Sequence, residues 1–452
     1  MNVGRGKPRR EGSIFMDILI SNVTVVTMNE KLQVLFGAYL GVSDGKITYI
    51  DTVAPQEQPK TIIDGTGMVA MPGLVNCHTH LATTVMRSFL DDAPRADALE
   101  QQLAREAKLD DRAVKAAATL GIAECLRFGI TSVSDLYYYP EAVAQAAADA
   151  GIKANIALAS YRFIDHNEEF DFETDDQCAE AARVADKWHG YEDGRIKIDA
   201  GLYAEYISNY KLWEGLSAWA LEKGLGLQLH LAETAAEAEE CMDRTGLGPG
   251  ELLNSHNLFC VPATATGCVG LEEQERKLLG KKKVSAVSTP IANAKAGLPV
   301  TPVADCVKAG MNVALGTGGA IECGNLDMFE VMRATAMAAR TASGDANAMP
   351  AAAVLMMATT CGARAQGRAD CTGMLKEGMD ADIVLVDFSA PHLMPCHDVM
   401  NALVFSAKGG DVALTMVGGK ILYQNGAFPT IDLKQTVQEL VEYAIPKLME
   451  ES

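Results

Sequence analysis

His78 and His80 are the residues of this chain best suited to do chemistry. They stand one residue apart at the end of the apolar run Val69-Ala-Met-Pro-Gly-Leu-Val-Asn-Cys-His-Thr-His-Leu81. Side chains at i and i+2 of an extended segment share a face, so the two imidazoles can offer nitrogen donors to a single divalent cation. An apolar strand that runs into an open loop, with a Pro-Gly pair ahead of it, is a context that favours such a role over an incidental loop pair.

The elements that must hold this pair fall into three blocks. Over 16–68, short alternating runs are separated by Ser-Asn and Asp44-Gly45 turn signals, which predicts antiparallel strands. Over 69–371, short apolar runs alternate with Ala-rich helical stretches, the pattern of β-α units around a parallel sheet. Strands are expected at 69–75, 130–135, 153–157, 196–202, 225–229, 263–269, 284–288 and 312–315. Eight such units predict an α/β fold of the (β/α)8 TIM barrel type, whose active site forms at the carboxyl ends of the strands. The segment 372–430 returns to short strands and is expected to join 16–68 in a small composite β-sandwich. A helix over 431–452 closes the chain, and 1–15 reads as a flexible tail.

Composition narrows the function. With 452 residues and 48% hydrophobic content the chain exceeds the roughly 250–300 residues of a single core, so a large domain plus a smaller one is expected. The net charge of −20, from 59 acidic and 39 basic residues, repels phosphate backbones and anionic lipid, which argues against nucleic-acid and membrane partners. No apolar run approaches the length of a bilayer span. The eleven cysteines are spread singly, some of them within apolar helical stretches such as those of Cys125 and Cys306, a usage that suits a reducing cytoplasm.

The runs Met71-Pro-Gly-Leu-Val-Asn-Cys-His-Thr-His80, His230-Leu-Ala-Glu233 and Gly378-Met-Asp-Ala-Asp-Ile-Val-Leu385 together resemble the amidohydrolase superfamily. Within it they are similar to the branch of S-adenosylhomocysteine/methylthioadenosine deaminases, guanine deaminases and triazine hydrolases. The resemblance covers nearly the whole chain from Met16 onward. It implies one divalent metal, zinc before iron, held by His78, His80 and His230. It implies that Glu233 carries protons from the attacking water to the leaving group, which suits a carboxylate beside a cation in a partly dry pocket. It also implies a small heterocyclic substrate and a homo-oligomer.

The chain departs from the family pattern at several points. After the sixth expected strand, Gly267-Cys-Val-Gly-Leu271 stands where relatives read His-Cys-Val-His-Leu, so Gly267 and Gly270 replace two imidazoles. After the eighth, Gly316-Thr-Gly-Gly319 stands for Gly-Thr-Asp-Gly, so Gly318 replaces the carboxylate that binds metal and water. Tyr203-Ala-Glu-Tyr206 takes the place of His-Ala-Pro-Tyr. Three imidazoles and a water are a known zinc arrangement, so the losses weaken metal binding without excluding it, and Glu322, Cys323 and Glu205 are candidate replacement ligands.

Substrate contacts are expected from Tyr203, Arg87, Lys295 and Glu322. Arg87 suits a bidentate hold on a carboxylate, or a pairing with Asp91 or Asp92. Tyr137-Tyr-Tyr139 is able to stack on a planar ring. His166, His189, His256, His392 and His397 have no paired spacing and read as ordinary surface or core residues. Two functional readings follow. One is a hydrolase that deaminates a small heterocycle at a non-peptide C–N bond. The other is a metal-poor relative that binds a planar ligand without hydrolysis, or runs a lyase or isomerase step.

Overall fold

The computed structural model describes residues 16–450 apart from 90, 94 and 165–167. The expected tail over 1–15 and His166 lie outside the described residues. Two parallel sheets form the middle of the molecule. One contains Leu74–Thr79, Ile130–Tyr137, Lys153–Leu158 and Ile196–Ile198, and the other Ala200–Leu202, Leu227–Leu231, Ala263–Gly267, Ser285–Ser288 and Asn312–Leu315. The strand expected over 196–202 is interrupted at Asp199 and ends one sheet while opening the next. Across the other seam, Asn76 Nδ2 donates to Thr317 Oγ1 at 2.8 Å and the Gly318 N–H to the His78 carbonyl at 3.0 Å. The arrangement is a TIM-barrel-like α/β fold with an additional β domain.

Burial explains why these strands read as nearly unbroken apolar runs. Every residue of Ile130–Tyr137 is buried, as parallel strands covered by helices must be. The Ala-rich helix Asp111–Arg127 is one such cover. It starts where the Asp110 carboxylate accepts the Ala113 N–H at 3.0 Å, and it buries Ala113, Ala117 and Ile122 in the main core.

The additional domain takes strands from both ends of the chain. Met16–Val26, Val34–Ser43, Lys46–Asp51, Pro59–Asp64 and Met68–Pro72 share one sheet with Ile383–Asp387, Val412–Val417 and Lys420–Gln424. Hydrogen bonding in this part, expected to be a small β-sandwich, runs through one mixed, branched network of eight strands that encloses a core of its own. Its period of two serves two cores at once. Ile383 and Leu385 enter the sheet's own core with Ile20 and Leu40, whereas Val384 and Val386 enter the main core.

The strand expected over 69–75 is divided at Gly73. Met68–Pro72 pairs antiparallel with Ile383–Asp387, and Leu74–Thr79 pairs parallel with Ile130–Tyr137. A Cβ on Gly73 would fall 2.0 Å from Thr131 Oγ1, so no larger residue passes between the two sheets at this point. The division moves the parallel strand toward the histidines: His78 lies within it and His80 just past its end. At the other terminus the closing helix begins at Leu433 and contains a π-helical turn over Leu440–Ala444. No described helix is long and apolar enough to cross a membrane.

Candidate metal centre and its cavity

The carboxyl ends of the parallel strands surround a cavity of about 460 Å³, and His78, His80 and His230 stand together in its wall. One nitrogen from each ring lies within 4.8 Å of the other two. His230 Nε2 and His78 Nε2 are 3.3 Å apart, close to the roughly 3.3 Å that separates two nitrogens bound about 2.05 Å from a tetrahedral zinc. The outer nitrogens are fixed by the backbone. His80 Nδ1 bonds the Leu136 carbonyl and His230 Nδ1 the Tyr203 carbonyl, each at 2.8 Å. An Nδ1–H donated to a carbonyl leaves the Nε2 lone pair free to ligate.

Electrostatics divides the trio. Burial, aided by the neighbouring imidazoles, pushes His78 well below the ordinary histidine range, so it stays neutral. His230 is lowered by the same burial, against the opposing charge of Glu233. Burial also pulls His80 down, but the carboxylates of Glu322, Asp135 and Glu106 outweigh it and its value is raised. Asp135 also orients the loop, since its Oδ2 accepts the Leu81 N–H at 2.7 Å.

Of the other expected site residues, Glu233, Tyr203, Lys295, Glu322 and Gly318 line this cavity. The Tyr203 ring lies 5.1 Å from that of His230. Lys295 is tied to Asp91 at 2.6 Å and to the Ile321 carbonyl at 2.9 Å. Tyr137 and Tyr138 also face the cavity, whereas the Tyr139 hydroxyl is turned to the Leu109 carbonyl at 2.6 Å.

Arg87 requires a correction. It is not part of the cavity wall, and its guanidinium pairs with the Glu124 carboxylate and the Gly324 carbonyl, not with Asp91 or Asp92. Glu124 comes from the helix Asp111–Arg127, and its Oε1 also accepts the Leu326 N–H at 3.0 Å. Arg87 is thus a staple between the loops after the first and last parallel strands. Two proposed replacement ligands also turn away. Cys323 Sγ donates to backbone carbonyls, and Glu205 pairs with Arg244. Among the remaining histidines, His189 bonds the backbone of Ile198, His256 bonds Glu214 and His392 bonds Asp411.

Gly267 and Gly270 are occupied in another sense. A Cβ on Gly267, at φ +102°, would sit 3.0 Å from Glu233 Cα, and one on Gly270 would sit 2.5 Å from the Thr234 carbonyl oxygen. The loop packs backbone to backbone on the Glu233 segment, with the Cys268 N–H donating to Leu231 O at 2.7 Å and the Val269 N–H to Ala232 O at 2.9 Å. The two departures therefore seat Glu233.

One residue that sequence reasoning missed is Glu106, at the end of the helix Arg95–Glu106. It is 3% exposed and accepts hydrogen bonds from the Tyr137 hydroxyl at 3.0 Å and Gln102 Nε2 at 3.1 Å. Burial pushes its carboxyl up to about 7, so it can hold or release a proton in the cavity near neutral pH. Its helix also brings Ala98, Gln102 and Leu103 to the cavity, a mixed set that does not mark it in the sequence.

Residues 69–422 match the sequence model of the amidohydrolase family. The chain is 35% identical over 430 residues to a 5-methylthioadenosine/S-adenosylhomocysteine deaminase of Moorella thermoacetica, covering 94% of this chain and 98% of that one. It is 36% identical over 424 residues to a 5'-deoxyadenosine deaminase of Methanosarcina acetivorans, covering 94% and 96%. Among solved structures, an adenosine deaminase from Xanthomonas campestris with bound zinc superposes with a TM-score of 0.89 at 29% identity, over 96% of this chain and 99% of that one.

Proposed function

The chain belongs to the amidohydrolase family, and on that premise we propose that it is a zinc-dependent deaminase that hydrolyses the C–N bond of an exocyclic amino group on a purine nucleoside or similar small heterocycle. The observation that carries this reading is the convergence of three imidazole nitrogens within 4.8 Å, two of the rings being tied to backbone carbonyls through their far nitrogens. In it, His78, His80 and His230 hold the cation. A divalent cation at that position supplies Lewis acidity and brings the pKa of a water near 7.

The remaining work falls to side chains. Glu233, held by the loop that Gly267 and Gly270 bring against it, takes a proton from the attacking water and returns it to the departing amine. Glu106 and the Tyr137 hydroxyl bind a polar edge of the ligand. The Tyr203 and Tyr138 rings cover its plane, and burial raises both phenols so that they stay neutral donors. The two parallel sheets are read as halves of one closed (β/α)8 barrel. The eleven thiols, all free, fit a reducing compartment.

The test is twofold. Purified protein is expected to carry about one zinc per chain, lost in His230→Ala, and to release ammonia from 5-methylthioadenosine, S-adenosylhomocysteine or 5'-deoxyadenosine. A chain that retains no cation and releases no ammonia from any of them sinks the proposal. The glycine at 318, where the family pattern has a carboxylate that binds metal and water, favours the second reading, binding of a planar ligand without hydrolysis. It would show as saturable ligand binding with no product.

A further inference from the structure

We propose that Glu322 supplies the carboxylate of this cation site, from one helical turn beyond position 318, where the chain has only a glycine; the inference rests on the cation-site reading above. The backbone at Gly318 is pinned beside the histidine strand. Its N–H donates to the His78 carbonyl at 3.0 Å, and its carbonyl accepts from Thr79 Oγ1 at 3.2 Å and Thr317 Oγ1 at 2.8 Å. A Cβ built on Gly318 would lie 2.9 Å from Glu322 Oε2. The Glu322 carboxylate thus lies in the volume that a side chain at 318 would enter, and it would have to shift if both were present. The carboxylate on this part of the cavity wall therefore comes from position 322.

Two further observations fix the carboxylate and leave its charge available. The Gly319 N–H donates to Glu322 Oε2 at 2.6 Å, which anchors the side chain against the loop. Among the described residues no Lys or Arg pairs with it: Lys295 is held by Asp91 and Arg87 by Glu124. Its oxygens stand outside the cluster of three ligating nitrogens, so its role is to balance the charge of the cation across the cavity wall, with the imidazoles as the ligands.

The experiment measures zinc affinity of the full chain by competition with a chromophoric chelator, alongside thermal unfolding of the metal-stripped protein. Glu322→Gln keeps a carbonyl oxygen for the Gly319 N–H and removes only the charge. It is expected to leave the unfolding midpoint unchanged and to lower zinc affinity by roughly tenfold or more, the through-space effect of one negative charge near a dication. Gly318→Asp is expected to gain nothing while Glu322 is present, and to recover most of the lost affinity when combined with Glu322→Ala, since Asp tolerates a positive φ. Unchanged zinc affinity in Glu322→Gln overturns this inference alone. So does a fall in affinity that comes with a lowered unfolding midpoint and is not recovered in the double variant. A wild-type chain that takes up no zinc overturns the cation-site reading and this inference together.

Discussion

At the amino end of the parallel strands, Lys153 lies between Asp380 at 2.6 Å and Asp382 at 2.5 Å, and Arg368 donates to Asn155 Oδ1 and to the carbonyls of Ala154, Gly194 and Arg195. At the carboxyl end, three imidazoles and the carboxylates of Glu106, Glu233 and Glu322 face a cavity. Both ends bury ionisable groups, yet they do opposite work. The charges at the floor face one another and tie the parallel strands to the segment that leads into Ile383–Asp387 of the eight-stranded sheet, where Asp380 and Asp382 stand. Those at the mouth are aimed at a volume that a ligand can enter. Desolvation at the floor is offset inside the protein, whereas at the mouth the offset is deferred to whatever binds there.

The largest break in this comparison is expected at Glu233. Glu233→Gln should lower the rate of ammonia release by roughly 10²–10⁴-fold while leaving the unfolding midpoint of the metal-stripped chain where it was. A variant that loses stability along with activity would make Glu233 a floor-type residue. The reverse pattern is expected at Lys153. Lys153→Met leaves the buried Asp382 without its cation and should cost about 3–5 kcal/mol in urea unfolding, since breaking a buried pair strands a charge.

The carboxylates of the two ends should separate by the sign of their pH dependence. Burial pulls Asp380 up, but Lys153 and Lys46 outweigh it and hold its carboxyl below the ordinary 3.8. Its stabilisation is present above that value and is lost as pH falls through the lowered one. Lys153 is raised above 10.5 because Asp382 and Asp380 outweigh its burial, so its contribution is present below 10.5 and fades as pH climbs through the raised value. Glu106 runs opposite to Asp380. With its carboxyl pushed up from 4.5 to about 7, the folded state holds the extra proton, so stability declines as pH rises across that window. Glu106→Gln should remove that decline, an effect of up to about 3 kcal/mol, read from unfolding curves at pH 5 and pH 8. A decline that survives the substitution would locate its source elsewhere.

The smallest effect is expected away from both ends. Lys60 and Asp17 form an exposed pair 2.7 Å apart, and Lys60→Ala should leave the unfolding midpoint unchanged within error. A measurable loss there would blur the contrast between buried and exposed charge.

Legibility in the sequence followed the range of the interaction. The imidazole pair was readable because extended backbone puts i and i+2 on one face, and His230 came with a motif that also carries Glu233. Arg87 was misread because its neighbours in sequence, Asp91 and Asp92, are not its neighbours in space: Glu124 is brought to it by a helix that starts at Asp111. Glu106 gave no signal, since a buried carboxylate on a helix of mixed composition looks like any solvated one. The break at Gly73 was hidden within one apolar run, because a strand serving the added sheet and a strand serving the parallel core have the same composition.

The chain's own pattern determined the alternation of strands and helices, the three histidines and the glycines at 267, 270 and 318, because these depend on residue type and local period. Only the tertiary structure decided which carboxylates share the cavity with those histidines, that Gly267 and Gly270 carry backbone onto the Glu233 segment, and that Glu322 fills the space beside Gly318. Those contacts join residues remote in sequence or belong to loops with no period of their own. Their distances follow from how the strands and loops pack, which no local pattern encodes.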